Sequence, residues 1–91
     1  MQRSISIIIN GKVQGVFFRQ SAKEKALELG LTGQAKNLED GNVHILATGA
    51  SEQLSAFTDW CKKGPPRAVV IGVEITELPL KLFDHFTIVR F

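Results

Sequence analysis

The sequence predicts an α+β fold of the split βαβ type, a mostly antiparallel sheet with two helices on one face. Two patterns and their order predict it. Short stretches in which apolar and polar residues alternate mark strands, and two intervening stretches switch to helical spacing. Along the chain the order is β-α-β-β-α-β, followed by a short C-terminal strand.

The elements follow in order. Ile5, Ile7 and Ile9 alternate with Ser4, Ser6 and Asn10, and Ile8 adds β-branched bulk, so residues 4–10 read as a strand. Gly11 and Gly15 bracket a loop. From Gln20 to Leu29 the spacing is helical, with Ala22, Ala26 and Leu29 on one face. Gly30 followed by apolar Leu31 has the form of a Schellman stop. Residues 33–38 are a second strand, Asp40-Gly41 a turn, and Asn42–Thr48 a third strand with Val43, Ile45 and Ala47 on one face. Gly49 and Ser51 introduce the second helix, with Ser51 as the expected N-cap. Leu54, Phe57 and Cys61 form its apolar stripe, with Trp60 at the edge, and Gly64-Pro65-Pro66 ends it. Ala68–Leu78 is the longest strand, with Val69, Ile71, Val73 and Ile75 in alternation. Past Pro79, His85–Arg90 closes the chain with Phe86 and Ile88 on one face. This is the ferredoxin-like element order, an architecture that hosts many unrelated chemistries.

A chain of 91 residues, 44% apolar and 22% charged, has room for one core, so residues 1–91 are expected to form a single domain. A single cysteine, Cys61, precludes an intrachain disulfide, and its place on an apolar stripe reads as a core thiol. The net charge of +2 is scattered over the chain, which suits a small anion and lacks the basic face that nucleic acid requires. No apolar run approaches the ~20 residues needed to span a bilayer. Ile5–Ile9 is short and no small-residue cleavage site follows it, so cytoplasmic residence is the default expectation. A monomer is the simplest expectation for oligomeric state.

Much chemistry is missing from the pattern. His44 and His85 lie on different strands, and no paired Cys or clustered His spacing suggests a metal site. There is no Walker loop, dinucleotide glycine fingerprint or nucleophile elbow. What remains is the segment Gly11–Arg19, running from a strand into a helix. Backbone N–H groups at a helix N-terminus lack intrahelical acceptors, and the helix dipole adds positive potential there. Gly15 permits dihedrals that let successive N–H groups converge, and the guanidinium of Arg19 can grip two phosphate oxygens. These residues therefore form a candidate oxyanion site. Glycine-bounded loops also occur for purely structural reasons, with Val16 and Phe18 as core anchors and Arg19 solvated. Spacing alone does not choose between the two readings.

The string Gly11-x-Val13-Gln14-Gly15-Val16-x-Phe18-Arg19 resembles the first signature of the acylphosphatase family. Gly33-Gln34-Ala35-Lys36-Asn37-x-x-x-Gly41-x-Val43, ending at Gly49, resembles the second. Both stand in the right order, and the resemblance covers essentially the whole chain. One departure is Gln34, where the family usually has an aromatic residue; its expected bearing is on packing or substrate fit.

The resemblance implies an enzyme that hydrolyses acyl phosphates to a carboxylate and inorganic phosphate, with no metal or cofactor. Arg19 matches the family's phosphate-binding arginine, and the amides of Gly15, Val16, Phe17, Phe18 and Arg19 match its cradle. Asn37 matches the asparagine that positions the attacking water. A carboxamide suits that role, because it offers a donor and an acceptor without adding negative charge beside a phosphate. Local sequence alone also allows Asn37 to be a strand-end residue before Asp40-Gly41. Inorganic phosphate, as the product, is an expected inhibitor. Lys12 and Lys36 read as solvated strand-end lysines, His44 as a residue of the open sheet face, and Gln14 as a residue shaping the loop through its own hydrogen bonds. Two rival classes are an anion-sensing module and a single-stranded RNA binder on the same fold. The first has no use for a water-holding Asn37. The second needs stacking aromatics on its central strands, and Asn42–Thr48 has none in a chain without tyrosine.

Overall fold

Strand β1 spans Gln2–Lys12, helix α1 Phe18–Glu28, β2 Thr32–Asn37, β3 Val43–Ala50, helix α2 Ser51–Lys63, β4 Val69–Leu78 and β5 Phe86–Val89. They belong to a computed structural model that describes residues 1–90. The strands form one sheet in the order β4-β1-β3-β2-β5. Every neighbouring pair is antiparallel except β2 and β5, which run parallel. The element order and the mostly antiparallel sheet are those the sequence predicts.

One face of the sheet carries the core. Ile5, Ile7 and Ile9 of β1 lie opposite Ala47, Ile45 and Val43 of β3, and all six are buried. Against them pack Phe18, Ala22 and Ala26 of α1 and Leu54, Phe57 and Cys61 of α2. The Phe57 ring centroid lies 6.1 Å from Trp60 and 6.2 Å from Phe86, and Phe18 lies 5.4 Å from Trp60. These rings join both helices to β5, and each large side chain buried this way stabilises the fold by about 1.5–3 kcal/mol.

The predicted Schellman stop is present: Leu31 N–H donates to Ala26 O at 2.8 Å and Gly30 N–H to Leu27 O at 3.2 Å, with Gly30 at φ +75°. Gly33 is needed for a different reason. Its φ is +146°, and a Cβ there would stand 1.8 Å from Leu46 O, so only glycine lets β2 cross β3 this closely.

Strands β4 and β5 occupy opposite edges, so their connection must cross a face of the sheet. The helices cover one face, and residues 79–84 take the other. Lys81 N–H donates to Ser4 Oγ at 2.8 Å, and Thr48 Oγ1 donates to Lys81 O at 2.6 Å. That strap explains why Ser4 and Thr48, on the otherwise open face, are buried.

The structure departs from the sequence reading in several places. Strand β1 extends at both ends of the predicted 4–10, and α1 starts at Phe18 rather than Gln20. The cap of α2 is Ala50, not Ser51: Ala50 is still extended at ψ 151°, and Gln53 Oε1 accepts its N–H at 3.0 Å. Ser51 is already helical, and its hydroxyl accepts a bond from Arg3. In β4 a bulge interrupts the predicted alternation. Asn10 faces Gly72 and Gly11 faces Val70, which leaves Ile71 unopposed. The faces therefore reverse at that point, so Val70 and Val73 pack on the core while Val69 and Ile71 are exposed. Among the described residues no helix is long and apolar enough to cross a membrane.

Candidate active site

Residues 13–17 carry the chain from β1 into α1. Val13 and Val16 are buried and pin both ends of the loop to the core. Gly15 between them is exposed at φ +74°, and a Cβ there would meet nothing, so its requirement is conformational rather than steric. Phe17, the N-cap of α1, has φ +63°, the one non-glycine residue in the left-handed region among those described. That conformation costs a side-chain-bearing residue roughly 1–2 kcal/mol and is a known form of strain stored at functional sites. Two left-handed residues spaced in this way make the backbone concave, which turns successive N–H groups inward.

The helix start leaves its backbone donors uncapped. No side chain caps α1, and its first turn has no acidic residue. Its first helical hydrogen bond runs from Ser21 N–H to Phe17 O at 3.0 Å. The N–H groups of Phe18, Arg19 and Gln20 consequently have no acceptor within the helix and sit at the positive end of its dipole.

Arg19 is half-buried in the first turn, and its Nη1 donates to Val89 O of β5 at 3.0 Å. One of its five N–H donors thus orients the guanidinium, leaving the others to bind. Asn37 is the last residue of β2, and its Oδ1 is buried with no hydrogen-bond partner. Such an acceptor costs about 1–3 kcal/mol unless something satisfies it.

Gly15, Phe17, Phe18, Arg19 and Asn37 all line one cavity of about 440 Å³. The structure therefore brings together residues that the sequence places 22 positions apart at their widest, Gly15 to Asn37. Val16 belongs to the same loop, but its side chain is in the core, so only its backbone can serve the site. The sequence reading missed Ile88 and Arg90, which form the far wall. A signal was available, because Phe86, Ile88 and Arg90 alternate on one face of the last strand. What the pattern did not disclose is that β5 pairs parallel with β2 and so lies beside Asn37. With Arg19 and Arg90 as its ionisable side chains, the cavity carries positive charge, and among the described residues no carboxylate side chain lines it.

Other predicted contributors lie elsewhere. Gln34 pairs with Leu46 and Thr87 on the face opposite the buried Gly33 and Ala35, so the departure from the family pattern is on the side of the sheet away from the cavity. His44 shares that open face, bonded to Ser6 Oγ at 2.8 Å; burial, aided by neighbouring Lys36, holds its pKa below the ordinary histidine value. Cys61 is fully buried, and desolvation pushes its thiol well above the ordinary value, so it is no nucleophile. Gln14 does not bond within its own loop. It reaches across to the β2–β3 turn.

Comparison with known proteins bears on the chain as a whole. The family model described as Acylphosphatase matches residues 5–88. The chain is 42% identical over 89 residues to a protein named acylphosphatase from Methylococcus capsulatus, covering 97% of each. It is 53% identical over 73 residues to an acylphosphatase from Marinobacter nauticus, covering 80% of this chain and 79% of that one. The solved structure of an acylphosphatase from Coxiella burnetii superposes with a TM-score of 0.93 at 40% identity, over 96% of this chain and 92% of the other. With a family match across nearly its whole length and a backbone that follows a solved member so closely, the chain belongs to the acylphosphatase family.

Proposed function

We propose that this protein hydrolyses acyl phosphates to a carboxylate and inorganic phosphate without a metal ion, by in-line attack of an Asn37-oriented water on phosphorus. The backbone amides of Gly15 to Arg19, with the Arg19 guanidinium, hold the phosphoryl group and stabilise charge on its equatorial oxygens, the work that magnesium performs in many phosphoryl-transfer enzymes. The leaving carboxylate is a weak base and needs no general acid. A phosphate oxygen of the substrate takes the proton of the attacking water. Inorganic phosphate fits the same cradle and is therefore a product inhibitor. Every residue invoked comes from one chain, so a monomer is sufficient for catalysis.

One observation carries this reading. Asn37 lines the same cavity as the loop and Arg19, and its buried Oδ1 lacks any protein partner. A pure anion sensor gains nothing from an unsatisfied acceptor beside its ligand. A hydrolase gains a place for water, which satisfies the amide and is held facing the phosphorus.

Turnover of benzoyl phosphate in ¹⁸O-labelled water tests the direction of attack. The label is expected in inorganic phosphate. Label in the benzoate instead means attack at the carbonyl carbon and overturns the in-line mechanism.

A further inference from the structure

We propose that Gln14 is a positioning residue that sets the distance between the phosphate loop and Asn37; the inference rests on the reading of Asn37 as the water-orienting residue. The Gln14 Nε2 group donates to Leu38 O at 2.7 Å and to Asn42 O at 2.9 Å. A side-chain NH₂ has two hydrogens, and both are used here. The two carbonyls form the neck of the β2–β3 turn, immediately beyond Asn37.

Gln14 is not needed to satisfy either carbonyl. Leu38 O also accepts from Gly41 N–H at 3.2 Å, and Asn42 O accepts from Leu38 N–H at 2.8 Å. The turn is further closed by Asp40, whose Oδ1 accepts from Asn42 N–H at 3.0 Å. The hairpin is therefore complete in itself, and the added bonds tie it to something else. That something is the loop one residue before Gly15. The pairing of β1 with β3 ends at Ile9 and Val43, so it does not reach this far. Because Asn37 Oδ1 has no bond of its own, the placement of its amide relative to the phosphate follows from where the hairpin neck is held. A shift of about 1 Å in a reacting geometry can cost on the order of 10²-fold in rate.

A double-mutant cycle separates positioning from general stabilisation. Gln14→Met keeps the length and removes both donors. It is expected to lower kcat for benzoyl phosphate by about tenfold or more, with affinity for inorganic phosphate within roughly twofold of wild type. In an Asn37→Ala background the same change is expected to alter kcat by less than about twofold, because the group it positions is gone. Gln14→Glu, which sets a carboxylate against two carbonyl oxygens, is the second variant and is expected to show the same dependence on Asn37. An unchanged kcat overturns the proposal, as does an equal loss in both backgrounds. Phosphate affinity falling together with kcat also overturns it, since Gln14 would then be shaping the cradle. If Asn37→Ala alone leaves kcat intact, the reading of the site fails first and takes this inference with it.

Discussion

Arg19→Ala is expected to abolish detectable phosphate binding and to reduce kcat/KM for acyl phosphates by on the order of 10³-fold or more. The magnitude follows from what Arg19 combines. It lines the cavity from the first turn of α1, at the positive end of the helix dipole. Its bond to Val89 O holds the guanidinium in place before substrate arrives, so little rotamer freedom remains to be lost on binding. Because the same interaction holds ground state and transition state, affinity and kcat/KM should fall together. Titration calorimetry with inorganic phosphate, alongside benzoyl phosphate turnover, checks this. Phosphate affinity near wild type in the variant would show that the loop amides alone bind the anion, and would remove Arg19 from the site.

Asn37→Ala should separate the two quantities. In the proposed mechanism its amide takes no part in holding the phosphoryl group, so phosphate affinity is expected within roughly twofold of wild type. Loss of the oriented water is expected to lower kcat by on the order of 10²-fold. Truncation also removes a buried acceptor that has no protein partner, so no protein hydrogen bond is lost with it and the variant is not expected to be less stable on that account. Equal losses of affinity and rate in this variant contradict the division of labour between Arg19 and Asn37.

The core was legible from the sequence wherever a local pattern controls the outcome. Alternating isoleucines in β1 and the Gly30-Leu31 stop depend on period and on a single left-handed residue, and both stand as read. The bulge at Ile71 was not legible, because it depends on a partner strand distant in sequence; the Ala50 cap is local, but alanine carries no capping side chain and the serine beside it does. Ile71 is displaced by a register shift against Gly11, whose missing Cβ permits Val69 O to approach. Ala50 serves as cap because Gln53 turns back to it.

The site divides in the same way. The loop and Arg19 were visible as a candidate, from a strand running through glycines into a helix, but that local pattern fits a structural loop equally well. A role for Asn37 was suggested only by the family resemblance, because its local sequence reads more readily as an ordinary turn or strand end. The Arg90 wall and the reach of Gln14 were hidden, since both arise from tertiary placement: parallel pairing of β5 with β2 in one case, and a side chain spanning to Leu38 and Asn42 in the other.

The central claim is hydrolysis of an acyl phosphate by protein groups alone, and its most direct test is benzoyl phosphate turnover by the wild-type chain in excess chelator. Undiminished release of benzoate and phosphate is the predicted result. Activity that disappears with chelator and returns with added divalent cation would contradict it, and would show that the loop amides and Arg19 do not suffice to hold the charge.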